Sequence, residues 1–216
     1  HRDLHSFPTR RSSDLIKGEK LTRKNADFLR QSIGILFQDP DDQIFMPRVW
    51  DDVAFGPLNQ GFTGQELDAR VRDALKITGL EDFAERVPHH LSYGEKKRVA
   101  IAGILAMKPE ILLLDEPTAN LDPVGRRELL ALLKGLGCTI IMATHDMEAA
   151  AAMADRVYLL DGKVITSGLK SDILTNRVLL ESAGLEMPAI ARLFSELKMK
   201  GKYVGEIPLT VEDALR

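Results

Sequence analysis

The sequence has little cysteine, no excess of positive charge and no long apolar run. Its single cysteine, Cys138, excludes an internal disulfide and agrees with a reducing compartment. A net charge of -3 argues against broad binding of nucleic acid, which usually requires a basic surface. No apolar run approaches the roughly 18 residues of a membrane-spanning helix. We therefore expect any link between this protein and a membrane to involve a partner protein.

The 216 residues are enough for one sizeable globular domain, with 44% hydrophobic and 28% charged residues. Residues 1–15, HRDLHSFPTRRSSDL, follow neither a helical nor a strand period, and they resemble translated sequencing-adapter sequence. We expect them to be a non-native or disordered leader. The remaining chain is predicted to divide into a main domain, residues 16–175, and a small C-terminal segment, residues 176–216.

The stretch from His90 to Asp122 organises the sequence. Its apolar run at residues 111–114 lacks alternation, which is typical of a parallel strand covered on both faces. Asp115 and Glu116 follow at once, at the strand end where active groups gather in open α/β sheets. A solvated turn is the alternative for two neighbouring acids, but the apolar strand directly before them favours a functional site.

The segment LSYGE, residues 91–95, stands at the predicted start of an apolar helix. A helix start offers free backbone N–H groups and a partial positive charge, both of which suit a phosphate. Ser92 adds a hydroxyl group, and Gly94 allows close approach of the backbone. Taken alone, Ser92 would be an ordinary helix N-cap, but its spacing before Asp115 favours a phosphate-facing loop.

Two further apolar runs lead to polar side chains. Residues 32–37 predict a strand that leads to Gln38, and residues 139–144 predict another buried strand that leads to His145. Strands that alternate with helices indicate an α/β fold with a mostly parallel sheet and right-handed crossovers. Taken alone, a polar side chain at a strand end is more often structural, and it is the presence of the segments around Ser92 and Asp115 that favours a site here.

The segments LSYGE, ILLLDEP and ANLD resemble the signature motif, the Walker B strand and the D-loop of ABC-type ATPases. This resemblance implies a P-loop NTPase-type ABC ATPase domain, with ATP and Mg²⁺ as cofactors. Asp115 would bind Mg²⁺ as the Walker B aspartate, and Gln38 would reach the same ion as the Q-loop glutamine. Glu116 would orient or deprotonate the attacking water, while His145 would contact the γ-phosphate as the H-switch.

The same resemblance implies a head-to-tail dimer, either a homodimer or a pair with a paralogous ATPase. In that dimer the signature motif of one subunit closes over ATP that the other subunit holds. Ser92, Gly94 and Glu95 would therefore contact the nucleotide. Asp122 lies in the D-loop. It would belong to the same nucleotide site and would bridge the two subunits.

ABC ATPases have a phosphate-binding motif, G-x-x-x-x-G-K-[ST], before the point where this sequence begins to resemble them, near Ile16. No such motif occurs in the sequence. We expect the first strand, the P-loop and the adenine-stacking aromatic residue to be missing. We also expect the chain alone neither to bind ATP tightly nor to hydrolyse it, so an inactive fragment is one alternative.

Aromatic and apolar residues concentrate between Ile44 and Phe55, near Pro47 and Pro57, which interrupt the stretch. They form either core beneath a loop or a groove that receives a helix of an integral membrane subunit. Residues 38–59 are similar to the same region of energy-coupling-factor ATPases of the cobalt and nickel type. This resemblance implies import of cobalt or nickel ions, with vitamins as the alternative cargo. It also implies a peripheral position on the cytoplasmic face of the membrane.

Three further segments have patterns that predict helices, and one predicts a turn. Residues 64–77 predict an amphipathic helix, which opens a helical subdomain that extends to about residue 90. Residues 123–136 predict a helix that begins at a proline. Residues 188–199 predict an amphipathic helix with either a dimerisation or a packing role, and the Asp-Gly pair at 161–162 predicts a β-hairpin.

An ABC-type chromosome or repair protein is a rival interpretation, because such proteins share the signature and Walker B motifs. They interrupt the domain with long heptad coiled coils. No heptad run separates Gln38 from Leu91 in this sequence. The sequence therefore favours transport over chromosome maintenance.

Overall fold

The fold is described by a computed structural model that covers residues 15–16, 18–20, 22, 25 and 31–216. The predicted leader, residues 1–15, lies outside the described residues except for Leu15. Two short strands, β1 (Leu15–Ile16) and β2 (Glu19–Lys20), pair antiparallel at the start of the described chain. All of the predicted site residues lie in the continuous range 31–216.

Three parallel strands form the sheet on which the predicted site depends. β4 (Ile111–Asp115) pairs with β3 (Ile33–Leu36) on one side and with β5 (Thr139–Ala143) on the other. The register aligns Leu36 of β3 with Leu114 of β4. The three strands therefore end at the same edge of the sheet, and their predicted existence is confirmed.

One face of this sheet is packed and the other is exposed. Leu36 and Leu112 point into the core and are 0% and 1% exposed. Ile35 and Ile141 lie on the opposite face, because successive strand residues alternate, and they are 47% and 58% exposed. The prediction that residues 139–144 form a buried strand is therefore wrong in the described part of the chain. β5 exists, but only one of its faces is packed.

Three helices lie between β3 and β4 in the sequence and pack against one another. They are α1 (Val49–Asn59), α2 (Gly64–Thr78) and α3 (Tyr93–Ala106). Short 3-10 helices lie in the connections, at Pro40–Asp42, Glu81–Phe83 and Pro88–His90. The apolar side chains of α1, α2 and α3 join those of the sheet in one buried cluster.

The amphipathic helix predicted for residues 64–77 is confirmed as α2. It buries Val71, Ala74 and Leu75 against the core, as its apolar spacing predicts. Gly79 follows its last turn with a φ of +68, in the left-handed conformation that glycine adopts without steric cost.

α1 is a helix that the sequence patterns did not indicate. Pro47 lies before the helix and Pro57 lies in its last turns, so neither proline breaks it. Val53 of α1 is fully buried, and Trp50 packs partly buried against the same core. Part of the aromatic stretch is therefore core, as one of the two interpretations predicted.

The second half of the chain surrounds β5 with helices and a hairpin. α4 (Pro123–Lys134) precedes β5, and α5 (Met147–Met153) follows it. β6 (Arg156–Asp161) and β7 (Lys163–Leu169) form the hairpin predicted from the Asp-Gly pair, and the turn glycine has a φ of +65. The following helices are α6 (Lys170–Leu174), α7 (Arg177–Ser182), α8 (Ala189–Met199) and α9 (Val211–Ala214).

Buried residues of these elements form a second core cluster, which includes Leu159 of β6, Leu174 of α6 and Leu180 of α7. The helix predicted for residues 188–199 is confirmed as α8, and its Ala191 belongs to this cluster. The cluster contains residues from both sides of position 175. The domain division predicted at that position stays a prediction. Within the described ranges, no helix combines the length and the apolar character of a membrane-spanning segment.

Substitution of Gly34 by alanine should destabilise the sheet. Gly34 lies in β3, and a Cβ atom there would overlap Cγ2 of Ile104 and lie 3.0 Å from Cδ2 of Leu112. Overpacking of this kind costs about 1 to 3 kcal/mol in the free energy of unfolding. We expect the free energy of unfolding of Gly34→Ala, measured by urea denaturation, to be lower than that of the parent by this amount.

Gly137→Ala is the matched control, because a Cβ atom at Gly137 would have no described heavy atom within 4 Å. Its free energy of unfolding should change by less than about 0.5 kcal/mol. Equal free energies of unfolding for the two variants would contradict the close packing at Gly34.

Candidate functional site

Glu116 occupies a constrained position just beyond the end of β4. Asp115, the last residue of the strand, is exposed. Glu116 has a φ of +42, in the left-handed region that residues other than glycine rarely adopt. Its backbone N–H donates to the carbonyl oxygen of Ala143 in β5, at 2.9 Å. The chain therefore turns at Glu116 while it stays hydrogen-bonded to the neighbouring strand.

The structure brings Glu116 and His145 into direct contact. One carboxylate oxygen of Glu116 lies 2.7 Å from Nδ1 of His145 and accepts from the His145 backbone N–H at 2.9 Å. The other oxygen accepts from the Thr144 hydroxyl at 3.0 Å. The Glu116 side chain is 17% exposed, whereas that of His145 is 78% exposed. Because Nδ1 faces the carboxylate, the Nε2 atom of His145 is left for a ligand.

Asp146 anchors the strand end that bears His145. Its backbone N–H donates to the Thr144 hydroxyl oxygen at 3.0 Å. Its carboxylate accepts from Arg126 of α4 at 2.6 Å and from the Thr118 hydroxyl at 3.1 Å. The same carboxylate caps α5 by accepting from the Ala149 N–H at 3.0 Å. Sequence reasoning missed this network, although an aspartate just before a helix is a typical N-cap signal.

Gln38 lies beyond the end of β3, beside the strand end that bears Asp115. It is exposed, and its backbone carbonyl oxygen accepts from the Tyr93 hydroxyl at 3.0 Å. Tyr93 is the first residue of α3, so this bond joins the Gln38 loop to the start of the signature helix. No sequence pattern indicated the partner of Tyr93, because the two residues are 55 positions apart.

Ser92 and Glu95 form a capping box at the start of α3. The Glu95 carboxylate accepts from the Ser92 hydroxyl and from the Ser92 backbone N–H, both at 2.7 Å. These two hydrogen bonds, with the hydroxyl contributing most, lower the pKa of Glu95 from its usual value. The N-cap interpretation of Ser92 is confirmed, and Glu95 is directed back to the helix start. The nucleotide contacts of Ser92, Gly94 and Glu95 stay predictions.

The D-loop lies against the first turn of α3. A Cβ atom at Gly94 would lie 3.6 Å from Cδ2 of Leu121, which is ordinary van der Waals contact. Asp122 caps α4 by accepting from the Gly125 N–H at 2.7 Å. The described contact of Asp122 is therefore local, and its predicted role between two subunits stays a prediction.

Phe45, Phe55 and Leu58 are exposed apolar residues, called the Phe45 surface below. Their exposed fractions are 62%, 39% and 47%. The rings of Phe45 and Phe55 meet edge to face, with centroids 4.9 Å apart. Trp50, in contrast, is partly buried against the core. The structure thus divides the aromatic stretch, with Trp50 in the core and Phe45 at the surface.

Asp115 and Gln38 provide oxygen donors suited to a Mg²⁺ ion. No group of three His, Cys, Asp or Glu side chains within the described ranges could hold a metal ion by itself. Mg²⁺ usually binds through one or two carboxylates together with water and substrate phosphates. One exposed carboxylate and one amide at neighbouring strand ends therefore fit an ion that is shared with a bound phosphate.

Comparison with known protein families and sequences gives concordant matches. The model of the ABC transporter family matches residues 5–119. A putative ABC transporter ATP-binding protein of Methanosarcina acetivorans is 48% identical, over 93% of this chain and 63% of its own length. The energy-coupling factor transporter ATP-binding protein EcfA of Methanoculleus marisnigri is 46% identical, over 93% of this chain and 74% of its own length. The chain thus spans less than two thirds of the Methanosarcina relative.

A solved structure shows the same likeness in three dimensions. The structure of cbiO1 from Clostridium perfringens, described as part of the ABC transporter complex cbiONQ, has a TM-score of 0.70 and 42% identity. The match covers 84% of this chain and 75% of that one. The P-loop NTPase-type ABC ATPase fold is confirmed, while the missing first strand and P-loop stay predictions. Since the family model matches more than half of the chain and the relatives are close to half identical, this chain belongs to the ABC transporter family.

Proposed function

We propose that the chain is part of the ATP-binding and ATP-hydrolysing subunit of an energy-coupling-factor ABC transporter that imports cobalt or nickel ions, and that the activity belongs to the intact subunit. The main support is the contact between Glu116 and His145 beside Asp115, at the edge where three parallel strands end. Hydrolysis of a nucleoside triphosphate requires a base or water-orienting group, a group for the γ-phosphate and a metal ligand. At this edge Glu116 is the candidate base, His145 is the candidate group for the γ-phosphate, and Asp115 is the candidate metal ligand.

Glu116 accepts a proton from the attacking water in the proposed reaction. Thr144 and His145 hold its carboxylate in place, so it needs no reorientation. The water oxygen bonds to the γ-phosphorus while the bond to the ADP oxygen breaks, and inorganic phosphate forms. His145 contacts a γ-phosphate oxygen and stabilises its negative charge. Asp115 and Gln38 would hold a magnesium ion, which neutralises phosphate charge when it is bound.

A second ATPase subunit completes the proposed site, either another copy of the chain or a paralogue. α3 is 14 residues long, and Ser92 at its start is exposed. The N–H groups and the partial positive charge of such a helix start favour a phosphate, although the capping box already uses the N–H groups of Ser92 and Glu95. These features support a contact between Ser92, Gly94 and ATP held by the other subunit. Asp122 is also exposed and would lie between the two subunits.

The Phe45 surface is proposed to receive a helix of an integral membrane subunit, which would keep the protein peripheral on the cytoplasmic face of the membrane. Exposed apolar patches of this kind mark interaction sites. Asp52 accepts from the N–H groups of Phe45 and Met46, at 3.2 and 3.1 Å. The loop that bears Phe45 is therefore fixed before binding, which lowers the entropic cost of association.

Cobalt or nickel is the proposed cargo. The similarity of residues 38–59 to ATPases of that type supports it. Vitamins are the alternative, because the cargo would contact a different subunit in either case.

Glu116→Gln should slow ATP hydrolysis by about 10²- to 10⁴-fold, because an amide cannot take the proton of the attacking water. ATP affinity should stay within about threefold, since the side chain keeps its size. The measurement uses a chimera in which the N-terminal segment of the Methanosarcina acetivorans relative replaces residues 1–15. Steady-state phosphate release and ATP binding are compared with the parent chimera.

Glu181→Gln is the matched control for that experiment, because it removes an exposed carboxylate on α7, which pairs with Arg177. It should hydrolyse ATP at the parent rate. Unchanged turnover in Glu116→Gln would remove Glu116 from the role of base. A parent chimera that fails to hydrolyse ATP would contradict the proposed function itself.

Phe45→Glu should weaken binding to the membrane subunits without unfolding the protein. A charged side chain on an exposed aromatic position leaves the core intact, whereas loss of an interface anchor costs at least about 2 kcal/mol, or roughly 30-fold in affinity. Co-purification with detergent-solubilised membrane subunits of the transporter measures the effect. Trp50→Glu should instead unfold the protein, because Trp50 packs against the core. Equal co-purification of Phe45→Glu and the parent would exclude the Phe45 surface as the interface.

The 216-residue chain alone should not bind Mg-ATP with micromolar affinity. Its sequence has no G-x-x-x-x-G-K-[ST] motif, and a helix start contributes only about 0.3 to 2 kcal/mol toward the roughly 8 kcal/mol of micromolar binding. Calorimetry tests this expectation.

The folded chain should restore hydrolysis when it is mixed with an intact homologue whose own signature serine is replaced. Micromolar binding by the chain alone, or no restoration on mixing, would contradict the prediction.

A further inference from the structure

Lys97 is buried in α3 although its side chain is charged. It is 1% exposed and has the largest volume among the fully buried side chains of the described ranges. Its ammonium group donates to the backbone carbonyl oxygen of Glu116 at 3.2 Å and lies 5.4 Å from the ring centre of Tyr93. Burial of an ammonium group costs several kcal/mol, so an apolar side chain would suit a purely structural position better.

Two of the three negative charges that act on Lys97 belong to the candidate site. Burial lowers the pKa of Lys97, and the negative charges of Asp39, Glu116 and Asp115 oppose that shift. Through its hydrogen bond to the Glu116 carbonyl oxygen, the buried ammonium group lies next to the strand end that bears the carboxylates of Asp115 and Glu116. The Lys97 ammonium group therefore contacts the candidate site, although the side chain is buried in the core.

Three hydrogen bonds hold the main chain at Glu116. Its N–H donates to the carbonyl oxygen of Ala143 in β5, and its carbonyl oxygen accepts from the Ala119 N–H at 3.1 Å and from Lys97 of α3 at 3.2 Å. A φ of +42 is unfavourable for a glutamate, by an amount on the order of 1 kcal/mol or more. Such a conformation persists only where the surroundings hold it. Lys97 provides one of these three bonds, and it is the one of the three that comes from a side chain.

We propose that Lys97 is a positioning residue for Glu116. By donating to the Glu116 carbonyl oxygen together with the Ala119 N–H, Lys97 helps to fix the backbone conformation from which the Glu116 carboxylate reaches Thr144 and His145. This inference rests on the proposed function, because Lys97 acts through Glu116 and touches no substrate. A displacement of about 1 Å in a reacting group can cost about 100-fold in rate. Loss of the bond should therefore lower kcat more than it raises KM.

The position of Lys97 also links two parts of the site through one helix. α3 begins with Tyr93, which donates to the carbonyl oxygen of Gln38, and Lys97 lies one turn further along. The helix therefore contacts the loop beyond β3 at its start and the turn beyond β4 through Lys97. A rigid helix of this kind keeps Gln38 and Glu116 in a fixed relation.

Lys97→Met tests the proposal, because methionine keeps an unbranched side chain but cannot donate to Glu116. In the chimera described above, kcat should fall about 100-fold while KM for ATP changes less than about threefold. The melting temperature should stay equal or rise, since an apolar replacement of a buried charge is often neutral or stabilising. Lys96→Met is the matched control, because it removes a charge from the residue just before Lys97. Lys96 forms an ion pair with Asp41, at 2.7 Å. The Lys96→Met variant should keep the parent kcat.

A kcat within about threefold of the parent value in Lys97→Met would overturn the proposal. A loss of activity that only follows the loss of folded protein would overturn it as well. The expected result is the combination of low kcat, unchanged KM and undiminished melting temperature, which a merely structural role would not produce.

A second measurement distinguishes failure of this inference from failure of the proposed function. In the 216-residue chain, NMR reports the Glu116 carbonyl carbon, which accepts from Lys97, and the His145 backbone N–H, which donates to the Glu116 carboxylate. Both resonances should shift in Lys97→Met, and neither should shift in Lys96→Met. If the parent chimera is inactive, the proposed function fails, and the NMR comparison still decides about Lys97. Unchanged resonances in Lys97→Met would overturn its positioning role.

Discussion

The pairing of β4 with a parallel neighbour on each side is the constraint on which the site depends. Because the hydrogen-bond ladders fix both registers, β3, β4 and β5 end at one edge of the sheet. Glu116 prolongs the ladder to β5 by one residue, through its bond to Ala143. The sheet alone therefore places Gln38, Asp115 and His145 near one another, before any side chain interacts.

Two sets of contacts then convert this edge into a fixed geometry. On one side α3 reaches the edge twice, through the Tyr93 hydroxyl and the Lys97 ammonium group. On the other side Asp146 connects the strand end of β5 with Arg126 of α4. Groups held by packed helices on both sides need little reorganisation when a ligand arrives, which is how preorganised sites act. The His145 ring stays accessible in this geometry, as do Asp115 and Gln38, which are also exposed.

Much of this arrangement could be predicted, because it depends on patterns that are local in the sequence. Apolar runs of four to six residues indicated three strands, and the polar residues beyond them indicated the edge that holds the site. Lys97 and Tyr93 could not be predicted, since a lysine in a helix normally indicates a surface and the Tyr93 bond spans 55 positions. The burial of β5 was predicted wrongly because both of its faces are apolar in sequence, whereas packing decides which face is covered.

β5 is an edge strand of the three-stranded sheet among the described residues. In the described part of the chain β5 pairs on one side only, with β4, and Ile141 on its open face is 58% exposed. Its sequence, TIIMA, contains no proline or charge that would block the addition of another strand. An unpaired edge of this kind is a template for a further strand, so the sheet can be extended on this side of β5.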